Sequence, residues 1–218
     1  LEVLDGGGRT LRRYASDDPQ QPPVEGRNIP DYWIRPPRSP ATEAGLHRFV
    51  WDLRHETPAA ESFGYPIAAV YADTPREPRG PFVVPGSYSL RLSVDGRQLT
   101  QPLTVVMDPR VAAGPAELAL QHELAMRLVL ALERSQPPKR SAAASSEQAE
   151  TEPAAKRREL DERLARSRRQ LTQLLGLVEG VDAAPTPAVR SAVDETIAEV
   201  EAQLLERREP EAARREAP

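Results

Sequence analysis

The sequence predicts an α+β protein of two modules: a small antiparallel β-sandwich of immunoglobulin or fibronectin type, followed by a three-helix antiparallel bundle or a helical hairpin. Three observations predict it. The aromatic residues (two Trp, five Tyr and three Phe) all lie at or before Tyr88. Sixteen of the 23 prolines lie at or before Pro115. After residue 110 the apolar residues change from a period of 2, typical of strands, to one of 3.6, typical of helices.

Composition excludes several functional classes. The 218 residues contain no cysteine, which excludes a disulfide scaffold, a thiolate metal site and a cysteine nucleophile. The 29 Lys and Arg nearly balance the 33 Asp and Glu, so no overall field favours nucleic acid or an anionic membrane. No apolar run reaches the roughly 18 residues that a membrane span needs. The chain opens without Met inside an apparent strand, and we therefore expect a fragment or a processed product.

A hairpin is expected at the start of the β-module, which is predicted over residues 1–110. Residues 1–4 and 10–14 flank three consecutive glycines, a pattern typical of two strands joined by a turn. Seven prolines then fall within residues 15–45. Because proline cannot donate to a strand ladder, this segment is expected to be a long extended connection rather than part of a sheet.

A half-buried strand is expected over residues 47–54. Phe49, Trp51 and Leu53 fall on one face there, which predicts that the aromatic side faces inward. The charged residues Arg48, Asp52 and Arg54 fall on the other face. A second long, Pro-rich loop is predicted over residues 56–86.

The clearest local signal is a second hairpin. Residues 88–94 and 99–107 alternate apolar and polar side chains on either side of Asp95 and Gly96. An Asp-Gly pair between alternating runs favours a primed turn, whose twist matches that of the strands. The resulting number of strands is low for a closed sandwich, so we expect an edge strand to be missing or supplied from elsewhere.

The helical module is predicted over residues 111–209. Leucine, valine and alanine recur at helical spacing, and Thr186-Pro187 offers an N-cap and a first-turn proline for the last helix. The predicted segments are helices at about 115–134, 154–179 and 187–208, a low-complexity and disordered linker at 135–153, and a frayed tail at 210–218.

The run Gly-Leu-His-Arg-Phe-Val-Trp-Asp-Leu-Arg at residues 45–54 resembles a segment near the end of large bacterial proteins with sortilin-type or BNR (Asp-box) β-propellers, often labelled glycosyl hydrolase or sialidase-like. Further pieces agree in order over nearly the whole chain, with a gap at 135–153, where the family usually continues as helix. The structural signature of the resemblance consists of Trp51, Asp52, Gly86, Tyr88, Asp95, Gly96, Asp108, Pro109 and Arg110.

The resemblance implies an exported protein, periplasmic or extracellular, in which an N-terminal propeller precedes this region. This chain would then be a C-terminal module that packs against the propeller or presents its helices to a protein partner. The hydrolase label belongs to the propeller repeats, and these 218 residues contain no Asp-box (Ser-x-Asp-x-Gly-x-Thr-Trp), so no catalytic residue is carried over. The Trp-Asp and Pro-Gly-x-Tyr combination also resembles immunoglobulin-like domains of bacterial surface and flagellar-cap proteins.

Catalytic chemistry within the chain has little support in the sequence. Glycoside hydrolysis needs two carboxylates about 5–10 Å apart, and the acids to consider in the β-module are Asp52, Asp73 and Glu77. Asp52 is instead expected to anchor a turn, or to pair with Arg54 or a loop amide. Since nucleophile-elbow, phosphate-loop and dinucleotide motifs are also absent from the sequence, no catalytic residue and no cofactor are predicted.

The three histidines of the sequence are the residues to consider for a zinc site. His47 and His55 would lie about 26 Å apart at the two ends of one strand, and His122 lies in the first predicted helix. A zinc site needs three or four convergent ligands, so exposed or rim histidines are expected and no metal is predicted.

The loop aromatics and the helical arginines allow two kinds of binding. A sugar-stacking platform could be built from Tyr32, Trp33, Phe63, Tyr65 and Tyr71, although core and loop anchoring is favoured; the ligand-binding candidates are Trp33, Tyr32 and Tyr65. The basic residues Arg157, Arg158, Arg166, Arg168 and Arg169 interleave with Glu159, Asp161 and Glu162. Charge pairing on a solvated helix face is therefore expected in preference to nucleic-acid binding.

Overall fold

A computed structural model describes residues 1–19, 22–60, 62–67, 70–137 and 152–215 of the chain. Its strands and helices are β1 Glu2–Leu4, β2 Thr10–Arg13, β3 Gly86–Val94, β4 Arg97–Val105, α1 Pro115–Ser135, α2 Glu152–Val178 and α3 Pro187–Arg215. A four-stranded antiparallel sheet thus precedes three helices, which confirms the predicted α+β class. Two compact units are present, Leu1–Thr57 with Ser62–His122, and Pro58–Glu61 with Glu123–Pro218.

Both predicted hairpins form, and together they make one sheet in the order β2-β1-β3-β4. In the second hairpin β3 and β4 pair over their full length, from Gly86 opposite Val105 to Val94 opposite Arg97. Asp95 and Gly96 have φ values of +48° and +75°, the pair of positive angles that a type I′ turn requires. A two-residue turn of this kind fixes the register, because it leaves no slack between the strands.

The β3–β4 hairpin has one apolar and one polar face. Directly opposed residues share a face, so the register separates the two sets of side chains. The apolar face carries Tyr88, Leu90, Leu92 and Val94 from β3 and Leu99 and Leu103 from β4. The polar face carries Ser87, Ser89, Arg91 and Ser93 from β3 and Gln98, Thr100, Pro102 and Thr104 from β4.

The predicted strand over residues 47–54 is wrong. The segment is irregular, with one isolated bridge between Arg54 and Phe82. Leu53 has a φ of +58°, which breaks the alternation of an extended chain, and the Trp51 indole N–H donates to the Arg54 carbonyl at 3.0 Å. The order of burial is therefore reversed at this point: Leu53 is 40% exposed and Arg54 only 6%.

The two Pro-rich loops are irregular over their described residues, as the prolines predict. Outside the four strands, the described residues of the first unit pair only through three isolated bridges, at Arg54–Phe82, Ile34–Thr74 and Gly64–Glu77. A 3-10 turn spans Asp31–Trp33. A second sheet, which a closed sandwich requires, is not formed by the described residues.

Within the second unit the three helices share one apolar cluster, made by Leu124, Ala125, Leu128, Val129, Ala131, Leu132, Leu171, Leu174, Leu175, Val178, Val193 and Val200. α2 begins at Glu152 and α3 continues to Arg215, past the expected limits of 154 and 208. Most residues of these ends are Ala, Glu and Arg, which are good helix formers. Pro153 lies in the first turn of α2, where a missing N–H costs little, whereas Pro210 lies inside α3. Residues 138–151 of the expected linker and 216–218 of the expected tail lie outside the described residues.

Polar groups are also buried among these helices. The Ser167 hydroxyl donates to the Gln203 side-chain oxygen at 3.2 Å, and the Arg168 guanidinium donates to the Ser135 carbonyl at 2.8 Å. Arg168 is only 6% exposed, so the expectation that it lies on a solvated face is wrong. Its cation lies at the C-terminal end of α1, where the helix dipole is negative.

Candidate functional site

The outer half of the β3–β4 hairpin exposes its apolar face. Leu92 is 38%, Val94 53% and Leu99 69% exposed. These three side chains, together with Asp95 and Arg97, line a shallow groove of about 400 Å³. β1 pairs with β3 only at residues 89–91, so beyond this point β4 is the only strand beside β3 within the described part of the chain.

The inner half of the same face is covered. Val3, which pairs with Leu90, is fully buried. The rings of Trp51 and Tyr88 meet edge to face, with centroids 6.2 Å apart, and the Tyr88 hydroxyl donates to the Val84 carbonyl at 2.6 Å. The irregular segment near Trp51 thus protects the base of the hairpin and leaves its tip exposed.

Other residues of the predicted signature have structural roles in a strand, a turn and an ion pair. Gly86 begins β3, and Asp95 and Gly96 form the hairpin turn. The Arg110 guanidinium forms a bidentate ion pair with Asp108, two residues earlier. Nε donates to Oδ1 at 3.0 Å and Nη2 donates to Oδ2 at 2.6 Å. These hydrogen bonds hold the pKa of Asp108 below its usual value.

Asp52 differs from its expected role. Its Oδ1 is buried and accepts no hydrogen bond from the described residues, whereas the sequence predicts a bond to Arg54 or to a loop amide. The other two candidate acids are held by arginines: Asp73 accepts from Arg35 Nε at 2.8 Å, and Glu77 lies 3.4 Å from Arg79. Asp73 and Glu77 therefore act as ion-pair partners in the loops.

The loop aromatics divide into two places. Tyr32 and Trp33 are in edge contact at 6.2 Å, and Ala72 N–H donates to the Tyr32 carbonyl at 2.9 Å, which brings the backbone of Tyr71 beside Tyr32. Tyr32 is 62% and Tyr71 77% exposed, so anchoring in a core is the wrong expectation for both rings. Tyr65 is half-buried.

Phe63 and Tyr65 belong to a separate paired segment. Gly64, between them, exchanges two backbone hydrogen bonds with Glu77, and the Arg76 guanidinium lies 4.0 Å from the centre of the Phe63 ring. The exposed aromatic residue whose backbone lies beside Tyr32 is thus Tyr71, whereas the sequence analysis selected Tyr65. A β-bridge between residues 34 and 74 brings these two loop segments together. No local sequence pattern predicts this bridge.

A pair of histidines is the feature that the sequence did not indicate. The rings of His55 and His122 lie 4.9 Å apart at an angle of 32°, and His122 Nδ1 is 2.8 Å from the Phe82 carbonyl oxygen. Burial, helped by His122 and Arg9 and opposed by Asp5, lowers the pKa of His55 to about 4. His47, expected on the same strand, instead bonds the Glu43 carbonyl at 2.7 Å.

Two further findings concern the described ranges only. No group of three His, Asp or Glu side chains converges there in a way that could hold a metal ion. None of the helices in these ranges combines the length and apolar character that crossing a membrane would take.

Comparison with known proteins gave no match to a family model, to a curated protein or to a solved structure. Geometry alone therefore bears on the function, and the hairpin tip and the exposed Tyr32–Tyr71 loops are the two surfaces to consider.

Proposed function

We propose that this chain is a non-catalytic accessory and interaction module at the C-terminal end of an exported β-propeller protein of the BNR or sortilin-like type that is often labelled glycosyl hydrolase. The observation that carries the proposal is the uncovered apolar face at the tip of the β3–β4 hairpin. In this proposal the face docks on the propeller of the same polypeptide.

Leaving this apolar surface in water costs free energy. Burying apolar area contributes about 25 cal/mol per Å². An exposed apolar edge is also a template for aggregation, and natural sheets commonly cover or charge it. Leu99 is 69% exposed on the edge strand, so a partner that covers it removes both penalties.

The size of the face favours a tethered partner. A stable complex between separate proteins typically buries about 800 Å² on each side. Leu92, Val94 and Leu99 are too few to supply that area. A domain of the same polypeptide needs less, because a short tether gives an effective concentration of about millimolar.

The finer features of the expected fold belong to the same proposal. A single sheet with one apolar face is one layer of a two-layer architecture. We propose that the immunoglobulin- or fibronectin-like sandwich is completed by the docked partner, and that the three helices form an antiparallel bundle available to a second protein partner.

The proposal is tested by measuring whether this chain binds the separately produced propeller of its parent polypeptide. Leu99→Asp is expected to weaken binding about tenfold or more, since it places a charge in the apolar contact. Gln98→Asp, on the polar face of the same strand, is the matched control and is expected to bind as the unmodified chain does. Equal binding by the two variants, or no binding at all, would contradict the proposed docking.

A second measurement addresses catalysis. The purified chain is expected to release no product from glycoside or peptide substrates at any concentration. Turnover that copurifies with the chain and follows its concentration would refute a non-catalytic role.

A carbohydrate-binding module is the second candidate function, favoured by the exposure of Tyr32 and Tyr71 on two loop segments that are joined by backbone hydrogen bonds. Aromatic faces of this kind can stack on sugar rings. Calorimetric binding to a glycan that is lost in both Tyr71→Ala and Trp33→Ala supports this candidate. Failure to bind any member of a glycan array removes it.

In the third alternative, the parent is a genuine glycoside hydrolase whose active site lies in the propeller, and this module only stabilises it. Deleting the module would then lower the thermal midpoint of the parent's activity and leave its substrate preference unchanged.

A further inference from the structure

We propose that the outer edge of β4, between Arg97 and Gln101, accepts an antiparallel strand from a protein partner. The added strand carries an apolar residue opposite Leu99 and an acidic residue opposite Arg97, two positions further along the partner. This inference rests on the proposed interaction role and specifies how the partner is recognised.

Pro102 shows which residues of β4 point their backbone N–H and C=O groups outward, away from β3. Proline has no N–H, so in a regular ladder it occupies a position whose backbone points away from the neighbouring strand. Pro102 pairs with Ser89, and alternation then turns the backbone groups of Gln98 and Thr100 outward as well. The two-residue turn agrees, since it places Val94 and Arg97 in a hydrogen-bonded pair.

These outward groups are available to a ligand. β4 is the last strand of the sheet. Among the described residues, no backbone or side-chain hydrogen bond reaches Gln98 or Thr100 from outside the β3–β4 ladder. An added strand would form roughly four backbone hydrogen bonds here, two with each residue.

The side chains beside this edge specify the partner. Leu99 lies on the apolar face and is 69% exposed, so an apolar residue directly opposite it would cover it. Arg97 is exposed and makes no ion pair within the described ranges. A carboxylate opposite Arg97 supplies the complementary charge, and in an antiparallel partner it falls two residues after the apolar one.

A second copy of this chain fits the edge poorly. In the register that brings Leu99 of one copy opposite Leu99 of the other, Gln98 pairs with Thr100, but each Arg97 lies opposite Gln101, which supplies no carboxylate. In the register that brings Leu99 opposite Leu103, each Pro102 lies opposite Thr100 and cannot donate a hydrogen bond. A different partner can pair with residues 97–101 and also place a carboxylate opposite Arg97.

The experiment uses the full chain and three acetylated, amidated peptides of about eight residues, the length of an ordinary strand. Each alternates valine and threonine and has a glutamate two residues after its central valine. The first peptide is unmodified. The second is N-methylated on the two residues that flank the central valine. The third is N-methylated on the central valine and on the glutamate. The unmodified and third peptides are expected to bind, whereas the second is expected to lose binding because its methyl groups replace the protons that face β4.

Two variants of the chain check the site. Thr100→Pro removes an outward N–H and is expected to reduce binding about tenfold or more, while Thr100→Val keeps the N–H and binds as before. Arg97→Glu is expected to weaken the glutamate peptide about threefold to fivefold, and a lysine in place of the glutamate is expected to restore binding. Circular dichroism establishes that each variant is folded.

The outcomes separate this inference from the proposed function. Equal binding of the two N-methylated peptides, or no binding up to about 1 mM, would overturn strand addition. If strand addition were overturned in this way but Leu99→Asp weakened binding to the propeller, the proposed docking through the apolar face would remain valid without an added strand. Self-association that is lost in Thr100→Pro would identify a second copy as the occupant and overturn the partner proposed here.

Discussion

Gly80 shows how single residues hold the irregular part of the first unit together. A Cβ at this position would lie 2.3 Å from the carbonyl oxygens of both His55 and Glu56. The buried Arg54 guanidinium donates to the Gly80 carbonyl at 2.7 Å and lies 3.5 Å from the centre of the Phe82 ring. The chain passes so close to itself here that no side chain fits.

Gly80→Ala is therefore expected to destabilise the protein by about 1–3 kcal/mol, because the backbone on both sides must move apart. Thermal unfolding followed by near-UV circular dichroism measures the change. The matched control is Gly64→Ala in the same loop region, where an added Cβ meets nothing within 4 Å. A similar loss for both variants would contradict the close approach at Gly80.

His55 gives the first unit a pH dependence of definite sign. The pKa of His55 is lowered from 6.5 to about 4, mainly by burial. Between these values the unfolded chain binds more protons than the folded chain, so stability falls as the pH drops from about 6.5 towards 4. Since the ring is partly exposed, solvent screening reduces the expected loss to about 1–2 kcal/mol.

Replacing His55 tests this dependence. His55→Phe keeps a ring and removes the titrating group, so the fall in thermal midpoint between pH 6.5 and 4.5 is expected to be smaller than in the unmodified chain. The exposed His47, changed to Gln, serves as control and keeps the original slope. An unchanged slope in His55→Phe would show that other groups cause the acid sensitivity.

At the scale of elements, the hairpin turn depends on Gly96. Its φ of +75° suits glycine, and a Cβ there would strain the left-handed conformation. Gly96→Ala is expected to cost about 1 kcal/mol, measured by chemical denaturation, whereas Asp95→Asn is expected to be neutral because asparagine also tolerates positive φ. Equal stability of the two variants would mean that the tip is too loosely formed to hold a type I′ turn.

Arg168 connects α2 to the end of α1. Its guanidinium donates to the Ser135 carbonyl, and both residues are buried. Arg168→Met is expected to destabilise the helical unit by about 1.5–3 kcal/mol through the loss of a charge-assisted bond. The neighbouring Arg169 is exposed, so Arg169→Met is expected to change stability by less than about 0.5 kcal/mol. Far-UV circular dichroism during heating compares the two variants.

The elements that the sequence predicted well are those with local causes. The Asp-Gly turn lies between runs of alternating residues, and helix periodicity is read within a few turns. The strand expected at residues 47–54 failed because alternation continues through Leu53 in the sequence, whereas the chain turns there into positive φ. Residues distant in the sequence stabilise that turn: Phe82 stacks on Arg54, and the Val83 N–H donates to the Leu53 carbonyl.

The candidate sites also divide into features that local sequence indicates and features that depend on contacts between distant residues. Tyr32 and Trp33 stand out in the sequence as adjacent aromatics in a polar loop, and their binding of a ligand stays a prediction. The role of Tyr71 and the contact between His55 and His122 were missed, since each joins segments that are distant in the chain. The burial of Arg168 was also missed, because a helical pattern of charges does not show which position meets another helix.

At the scale of the whole molecule, exposure separates docking residues from core residues. Leu99→Thr is expected to change the free energy of unfolding by less than about 0.5 kcal/mol and to reduce binding of an apolar fluorescent dye, because the side chain is already 69% exposed. Leu4→Ala, at 6% exposure in the same sheet, is expected to cost about 2–5 kcal/mol. A large loss of stability in Leu99→Thr would show that the hairpin tip is part of the core.

The sequence by itself determined that the chain is α+β, that aromatic residues and prolines belong to its first part, and that two antiparallel hairpins and three helices form. These features depend on residues close together in the chain, where periodicity and turn chemistry act directly. Only the tertiary structure decided that the apolar face of the second hairpin is covered at its base and open at its tip. That outcome depends on where β1 ends and on where the irregular segment around Trp51 packs, which are contacts between distant residues that no local pattern encodes.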